Sequence, residues 1–258
     1  AVAVREGAAR RAEPGRTLLL DRADIEGLIR QPTEQRLDVS TLKPGDVLEG
    51  RYKFLKKIGK GAFGTVLLME DTVVEEQLVL KFLNPNVSQD EEMMKRFVHE
   101  LRYSRKITHR NVIRIYDFLF IRGNYAISME YFPSHTLGNE VNEKPLPLAK
   151  AARLAVDIAT GMTVAHQSGI IHRDLKPANV MLTAKGADVD VVKLLDFGIG
   201  KAIGESADPN VHDITKDDKS VFGTPRYMAP ECLLRYEVGP PADAGGVEAL
   251  EHGHGLLA

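Results

Sequence analysis

The stretch "IIHRDLKPANVML" (170–182) sets His172, Arg173, Asp174, Lys176 and Asn179 between apolar residues on both sides. A solvated surface does not read this way, because charged side chains are costly among residues that form buried strands. Asp174 can accept a proton from an incoming hydroxyl, and Lys176 can neutralise a transferring phosphate. Asn179 offers an oxygen to a cation. Downstream, "LLDFGIG" (194–200) brings an apolar strand to an end at Asp196, a carboxylate able to complete a Mg2+ site. Strand-end aspartates are commonly turn residues, so Asp196 draws its weight from its neighbours.

Upstream, "IGKGAFGTV" (58–66) spaces Gly59, Gly61 and Gly64 as G-x-G-x-x-G, with Lys60, Ala62 and Phe63 between them and Val66 after. Glycines let a backbone approach phosphate closely, though a glycine-rich strand turn is more often structural. Strands are expected on both sides, whereas a dinucleotide fold would open a helix here. Lys81 lies inside the apolar strand "LVLKFL", where an ammonium needs a partner, and Glu100 on the next helix is the natural one. The loop after Asp196 runs about thirty residues to "GTPRYMAPE" (223–231) and contains the hydroxyls Thr215, Ser220 and Thr224.

The wider pattern divides the chain. The runs "RYKFLKKI", "GTVLLMED", "EQLVLKFL", "VIRIYDFLF" and "NYAISMEYF" predict strands, interrupted by one helix over "DEEMMKRFVHELRYSRKI". From about Leu146 a long helix follows, with Gly169 placed to stop it, then short strands around "VML" and "VVKLLDF". Residues 1–50 are expected to be a mostly disordered extension with one short helix over Leu18–Arg30, and a Pro-Gly turn to begin regular structure. The 258 residues carry a net charge of −2, with 43% hydrophobic and 27% charged residues. That balance gives no general attraction to nucleic acid or anionic membrane. The single cysteine, Cys232, excludes an internal disulfide framework and suits a cytoplasmic setting. No apolar run approaches the roughly 18 residues of a membrane span.

These motifs, in this order, resemble the eukaryotic-like serine/threonine protein kinases of bacterial type. The resemblance covers roughly Arg51 to Pro241. It implies an α+β bilobal fold: an antiparallel-sheet lobe over 51–132, a partial helical lobe over 133–241, and an aberrant tail over 242–258. It also implies transfer of the ATP γ-phosphate to Ser or Thr hydroxyls of protein substrates, with ATP and Mg2+ as cofactors. Asp174, Lys176, Lys81 and Glu100 would be the catalytic set, with Asn179 and Asp196 on the metal. Gly59, Lys60, Gly61, Ala62, Phe63, Gly64, Val66 and Lys81 would line the nucleotide. "SMEYF" looks like the hinge, with Met129 as gatekeeper and the adenine bonded to the backbone of Glu130 and Phe132. Arg173 beside Asp174 implies regulation by phosphorylation of Thr215 or Ser220.

Two departures stand out. Arg110 replaces a usual proline, and Ser104 a usual apolar residue one turn after Glu100. After "YEVGPPA", Asp243 sits where the family begins a buried helix with Asp-x-Trp, but the tryptophan is missing. The codons for Gly246-Val247-Glu248, read one base later, can encode Val-Trp, which is compatible with a frame slip, and a truncated chain is expected. The competing expectation is a catalytically inactive fragment that binds nucleotide or acts as a scaffold. A small-molecule kinase fits "GTPRYMAPE" less well.

Overall fold

A computed structural model of the chain describes residues 36–61, 64–85, 91–184 and 190–197, together with Tyr227, Pro240 and Asp243. It divides into two compact units, one of residues 1–95 and 116–129, the other of 96–115 and 130–258.

The first unit is built on a six-stranded sheet in the order β1-β2-β3-β4-β6-β5. Its strands are β1 (Val47–Leu48), β2 (Tyr52–Gly61), β3 (Gly64–Asp71), β4 (Glu76–Leu83), β5 (Ile115–Ile121) and β6 (Asn124–Glu130). Strands β1 to β4 pair antiparallel. The β3–β4 register sets Leu67 opposite Leu80 and Met69 opposite Leu78, and these join one apolar cluster with Tyr52, Phe54 and Phe82. The alternate positions, Val66 opposite Lys81 and Leu68 opposite Val79, fall on the other face. One period-two pattern therefore separates the apolar cluster from the lysine.

That cluster has a cover the sequence did not announce. Leu37, Val39 and Leu42 pack against it, from a strap that precedes β1. The strap is tied at one end by Leu37 N–H to the Arg122 carbonyl (2.9 Å) and by Arg36 Nε to Asn124 Oδ1 (2.8 Å). At the other end Gly45 N–H reaches the Phe54 carbonyl (2.8 Å). The expected Pro-Gly turn is present: Asp46 N–H bonds the Lys43 carbonyl (3.0 Å), with Gly45 at φ 98°. Of the extension expected to be mostly disordered, residues 36–50 are thus ordered, while 1–35 and the short helix expected there lie outside the described residues.

Gly64 is required by the fold itself. It holds φ +150°, and a Cβ there would stand 1.8 Å from the Phe82 carbonyl oxygen. Gly64→Ala is expected to cost about 3 kcal/mol through this backbone clash and the strained φ. Gly61, with open space where its Cβ would go, should change by less than about 1 kcal/mol on Gly61→Ala. Urea midpoints of the two variants compare them directly.

Helix α1 (Glu91–Ser104) buries Met94, Phe97, Val98 and Leu101 at helical spacing. In the second unit, α2 (Leu137–Glu143) starts at a capping box of Thr136 and Asn139. Helix α3 (Leu148–Gln167) buries a stripe of Ala151, Leu154, Ile158, Gly161, Met162 and Ala165. It ends as the sequence predicts: Gly169 takes φ 74° and its N–H bonds the His166 carbonyl, while Ile170 N–H bonds that of Ala165. A small antiparallel sheet of β7 (His135–Thr136), β8 (Val180–Ala184) and β9 (Asp190–Leu194) completes the unit. A Cβ at Gly161 would come within 3.0 Å of Leu194 Cδ1, so α3 passes close against β9. Leu194, Val192, Val180 and Leu182 are fully buried in the same core.

Candidate active site

The segment 172–179 forms one bonded cluster. Lys176 Nζ meets Asp174 Oδ2 at 2.6 Å, and Asn179 Nδ2 donates to the same oxygen (3.2 Å) and to the Asp174 carbonyl (2.8 Å). With its amide protons turned to Asp174, Asn179 is left with Oδ1 as its acceptor, a hard oxygen suited to a divalent cation. Leu195 N–H donates to the Asn179 carbonyl (2.9 Å), which fixes the approach of the next residue, Asp196. Sequence reading placed Asp174, Lys176 and Asn179 together, and the chain brings them together.

His172 stitches this loop to the end of β9. It is fully buried, its Nε2 donates to the Leu195 carbonyl (2.9 Å), and its Nδ1 accepts from Asp174 N–H (3.4 Å). The ring lies 4.7 Å from that of Phe197, tilted by 49°. Those bonds describe a neutral imidazole. Burial pushes its pKa below the ordinary value, against the opposing charges of Asp243, Asp174 and Asp196. The unfolded chain therefore takes up this proton first as pH falls. The stability that neutral His172 confers is complete above about pH 6.5 and is lost on acidification below it. Urea midpoints between pH 7.5 and 5.5 should fall less steeply in His172→Gln than in the parent chain.

Beneath the loop sits Asp243, 3% exposed. Its carboxylate accepts the N–H groups of His172 (2.7 Å) and Arg173 (2.8 Å), and His166 Nε2 lies 2.9 Å from it. Arg173 and Asp196 both hold left-handed backbone, at φ 66° and 56°. Non-glycine residues in this region cost of order 1 kcal/mol or more each and persist where surrounding bonds over-determine them. The family resemblance pointed to Asp243. Nothing in the sequence marked His166, one more helix residue until the chain is folded.

In the first unit Lys81 is buried on β4, directly opposite Val66. Among the described residues, nothing lies within 4 Å of where a Cβ would stand at Gly59 or Gly61. Bare backbone there leaves room for a ligand. The side chain of Glu100, and Ala62, Phe63, Thr215 and Ser220 entirely, lie outside the described residues, so the expected Lys81–Glu100 pair does too. Met129 is buried at the end of β6. Glu130 commits its N–H to the Arg114 carbonyl (2.9 Å), which leaves its own carbonyl as the group to offer. At Phe132 the carbonyl accepts from Ser134 Oγ (2.7 Å), which leaves the N–H. The described residues hold no group of three His, Cys, Asp or Glu side chains suited to a metal. Two oxygen ligands plus phosphate oxygens are a usual Mg2+ arrangement, which Asn179 and Asp196 fit.

A model of the protein kinase domain matches residues 52–247. The chain belongs to the protein kinase domain family. It is 33% identical over 197 residues to the serine/threonine-protein kinase pkn2 of Myxococcus xanthus, covering 76% of this chain and 23% of that protein. Over 189 residues it is 34% identical to the probable serine/threonine-protein kinase PknB of Lactococcus lactis, covering 72% and 28%. The chain thus spans about a quarter of the length of these curated relatives. The crystal structure of the Mycobacterium tuberculosis PknI kinase domain shares the fold, with a TM-score of 0.62 at 24% identity over 82% of this chain and 77% of that one. The sheet unit and the helical unit are the two lobes of a bacterial-type kinase of the eukaryotic-like class. No helix among the described residues is long and apolar enough to cross a membrane.

Proposed function

We propose that this kinase transfers the γ-phosphate of ATP to serine or threonine hydroxyls of protein substrates, in the cytoplasm. The observation that carries this reading is the carboxylate of Asp174, held between Lys176 and Asn179 beside the strand that leads to Asp196. Phosphoryl transfer asks the protein mainly for positioning and charge neutralisation. Asp174 orients the acceptor hydroxyl and takes its proton on the carboxylate. Lys176 balances charge on the γ-phosphate. Asn179 through Oδ1 and Asp196 through its carboxylate would hold Mg2+, which when bound supplies charge neutralisation across the phosphates.

Lys81, set by Glu100, takes the α- and β-phosphates, and the backbone from Gly59 to Gly64 covers them. The adenine takes the Glu130 carbonyl and the Phe132 N–H. Phosphorylation at Thr215 or Ser220 regulates the enzyme through Arg173.

The test is incubation with Mg2+ and γ-labelled ATP and a mixed protein acceptor, followed by phosphoamino-acid analysis. Label on serine or threonine supports the assignment. Label confined to tyrosine, or none under conditions where the chain is folded, overturns it.

A further inference from the structure

We infer that Lys193 is a positioning residue for the adenine-binding segment: it ties Glu130 and Phe132 to strand β9 and thereby sets selectivity for the base. The inference rests on the kinase reading of those two residues given above.

Val192 and Leu194, on either side of Lys193, are fully buried in the core of the second unit. Strand alternation turns Lys193 the opposite way. There its Nζ meets Glu130 Oε2 at 2.8 Å, with the two side chains 12% and 25% exposed. The same ammonium stands 5.6 Å from the centroid of the Phe132 ring. One cation thus touches both residues that are to hold adenine, through their side chains, while the Glu130 carbonyl and the Phe132 N–H remain for the ligand.

A second tie runs in parallel through Arg114, one bond from backbone to backbone and one onto the same carboxylate oxygen. Glu130 exchanges bonds with Arg114, giving its N–H to the Arg114 carbonyl (2.9 Å) and taking the Arg114 N–H on Oε2 (3.2 Å). The neighbour of Arg114, Ile113, bonds the Leu194 carbonyl through its N–H (3.0 Å). The Arg114 route fixes where Glu130 lies. The ammonium fixes how the segment from Glu130 to Phe132 is turned, and that turn aims the carbonyl and the N–H that tell adenine from guanine. A surface ion pair would do little here. This one is largely withdrawn from solvent and shared with a ring.

The experiment titrates the full chain with the methylanthraniloyl derivative of ADP and displaces it with unlabelled ADP or GDP. In Lys193→Met the preference for ADP over GDP should fall about tenfold, the scale of coupling between contacting residues. Lys193→Arg should restore most of it, since a guanidinium reaches both the carboxylate and the ring. Glu130→Gln should reproduce the loss, and the double variant should be no worse than either single change. An unchanged ADP-to-GDP ratio in Lys193→Met overturns the inference. So does an equal weakening of both nucleotides, which is what general loosening of the lobe would give. A parent chain that is folded and binds neither nucleotide overturns the kinase reading itself, and is told apart by that.

Discussion

Asp174→Asn is expected to lower the rate of phosphoryl transfer about a thousandfold, within the range assigned to a positioned general base, while ADP binding stays within about twofold. The substitution keeps the shape of the side chain, and its oxygen can still accept from Lys176 Nζ and Asn179 Nδ2, the two donors now on Oδ2. What it removes, in the proposed mechanism, is the site for the proton of the acceptor hydroxyl. The Asp174 side chain is 31% exposed, so an incoming hydroxyl can reach it without displacing the core. Initial rates with saturating Mg·ATP measure the effect, with ADP displacement on the same preparation as the control. A loss smaller than tenfold would remove Asp174 from the role of base and leave it as a partner that positions Lys176. A loss of ADP binding alongside the rate would point to collapse of the loop instead.

Asp243→Ala should be the most damaging single change to stability. It strips the acceptor from the buried N–H of His172, the part-buried N–H of Arg173 and the His166 ring. Unsatisfied buried donors cost about 1–3 kcal/mol each, so a loss of about 3–5 kcal/mol is expected. That is a large share of the roughly 5–15 kcal/mol of an ordinary domain. The loss would also free Arg173 from the bond that helps hold its left-handed backbone, so the loop should exchange its amide hydrogens sooner than the rest of the lobe. Urea unfolding gives the magnitude, and hydrogen exchange of residues 170–176 gives the location. Should the alanine variant not fold, Asp243→Asn, with one acceptor oxygen kept, is expected to fall between it and the parent. An alanine variant within about 1 kcal/mol of the parent would mean that the carboxylate does not close the loop.

Much of this fold is legible in the sequence because its signals are local. Short apolar runs rich in strand-forming residues placed β3 and β4 to the residue, at Gly64–Asp71 and Glu76–Leu83. The stop at Gly169 follows from the need for a left-handed residue after α3. The cluster of Asp174, Lys176 and Asn179 is compact in sequence and compact in space. What the sequence hid depends on contacts between distant segments. Leu37, Val39 and Leu42 look like any residues of a polar extension until the sheet they cover exists. Lys193 reads as an ordinary strand lysine, because its partner Glu130 is 63 positions away. Helix α2 had a local signal that went unread, the Thr136–Asn139 cap, on a helix too short for periodicity to mark it.

The distance between Arg173 and its acceptor has a consequence for how the protein is made. Asp243 lies 70 positions after Arg173. At about 5–20 residues per second, the ribosome needs several seconds after finishing the catalytic loop before that carboxylate has even been polymerised, and longer before it clears the exit tunnel. Throughout that interval a nascent chain has its sheet lobe and its Asp174 complete but the loop unlatched. Synthesis order therefore leaves the N–H groups of His172 and Arg173 without this acceptor until well after the loop that carries them has been made.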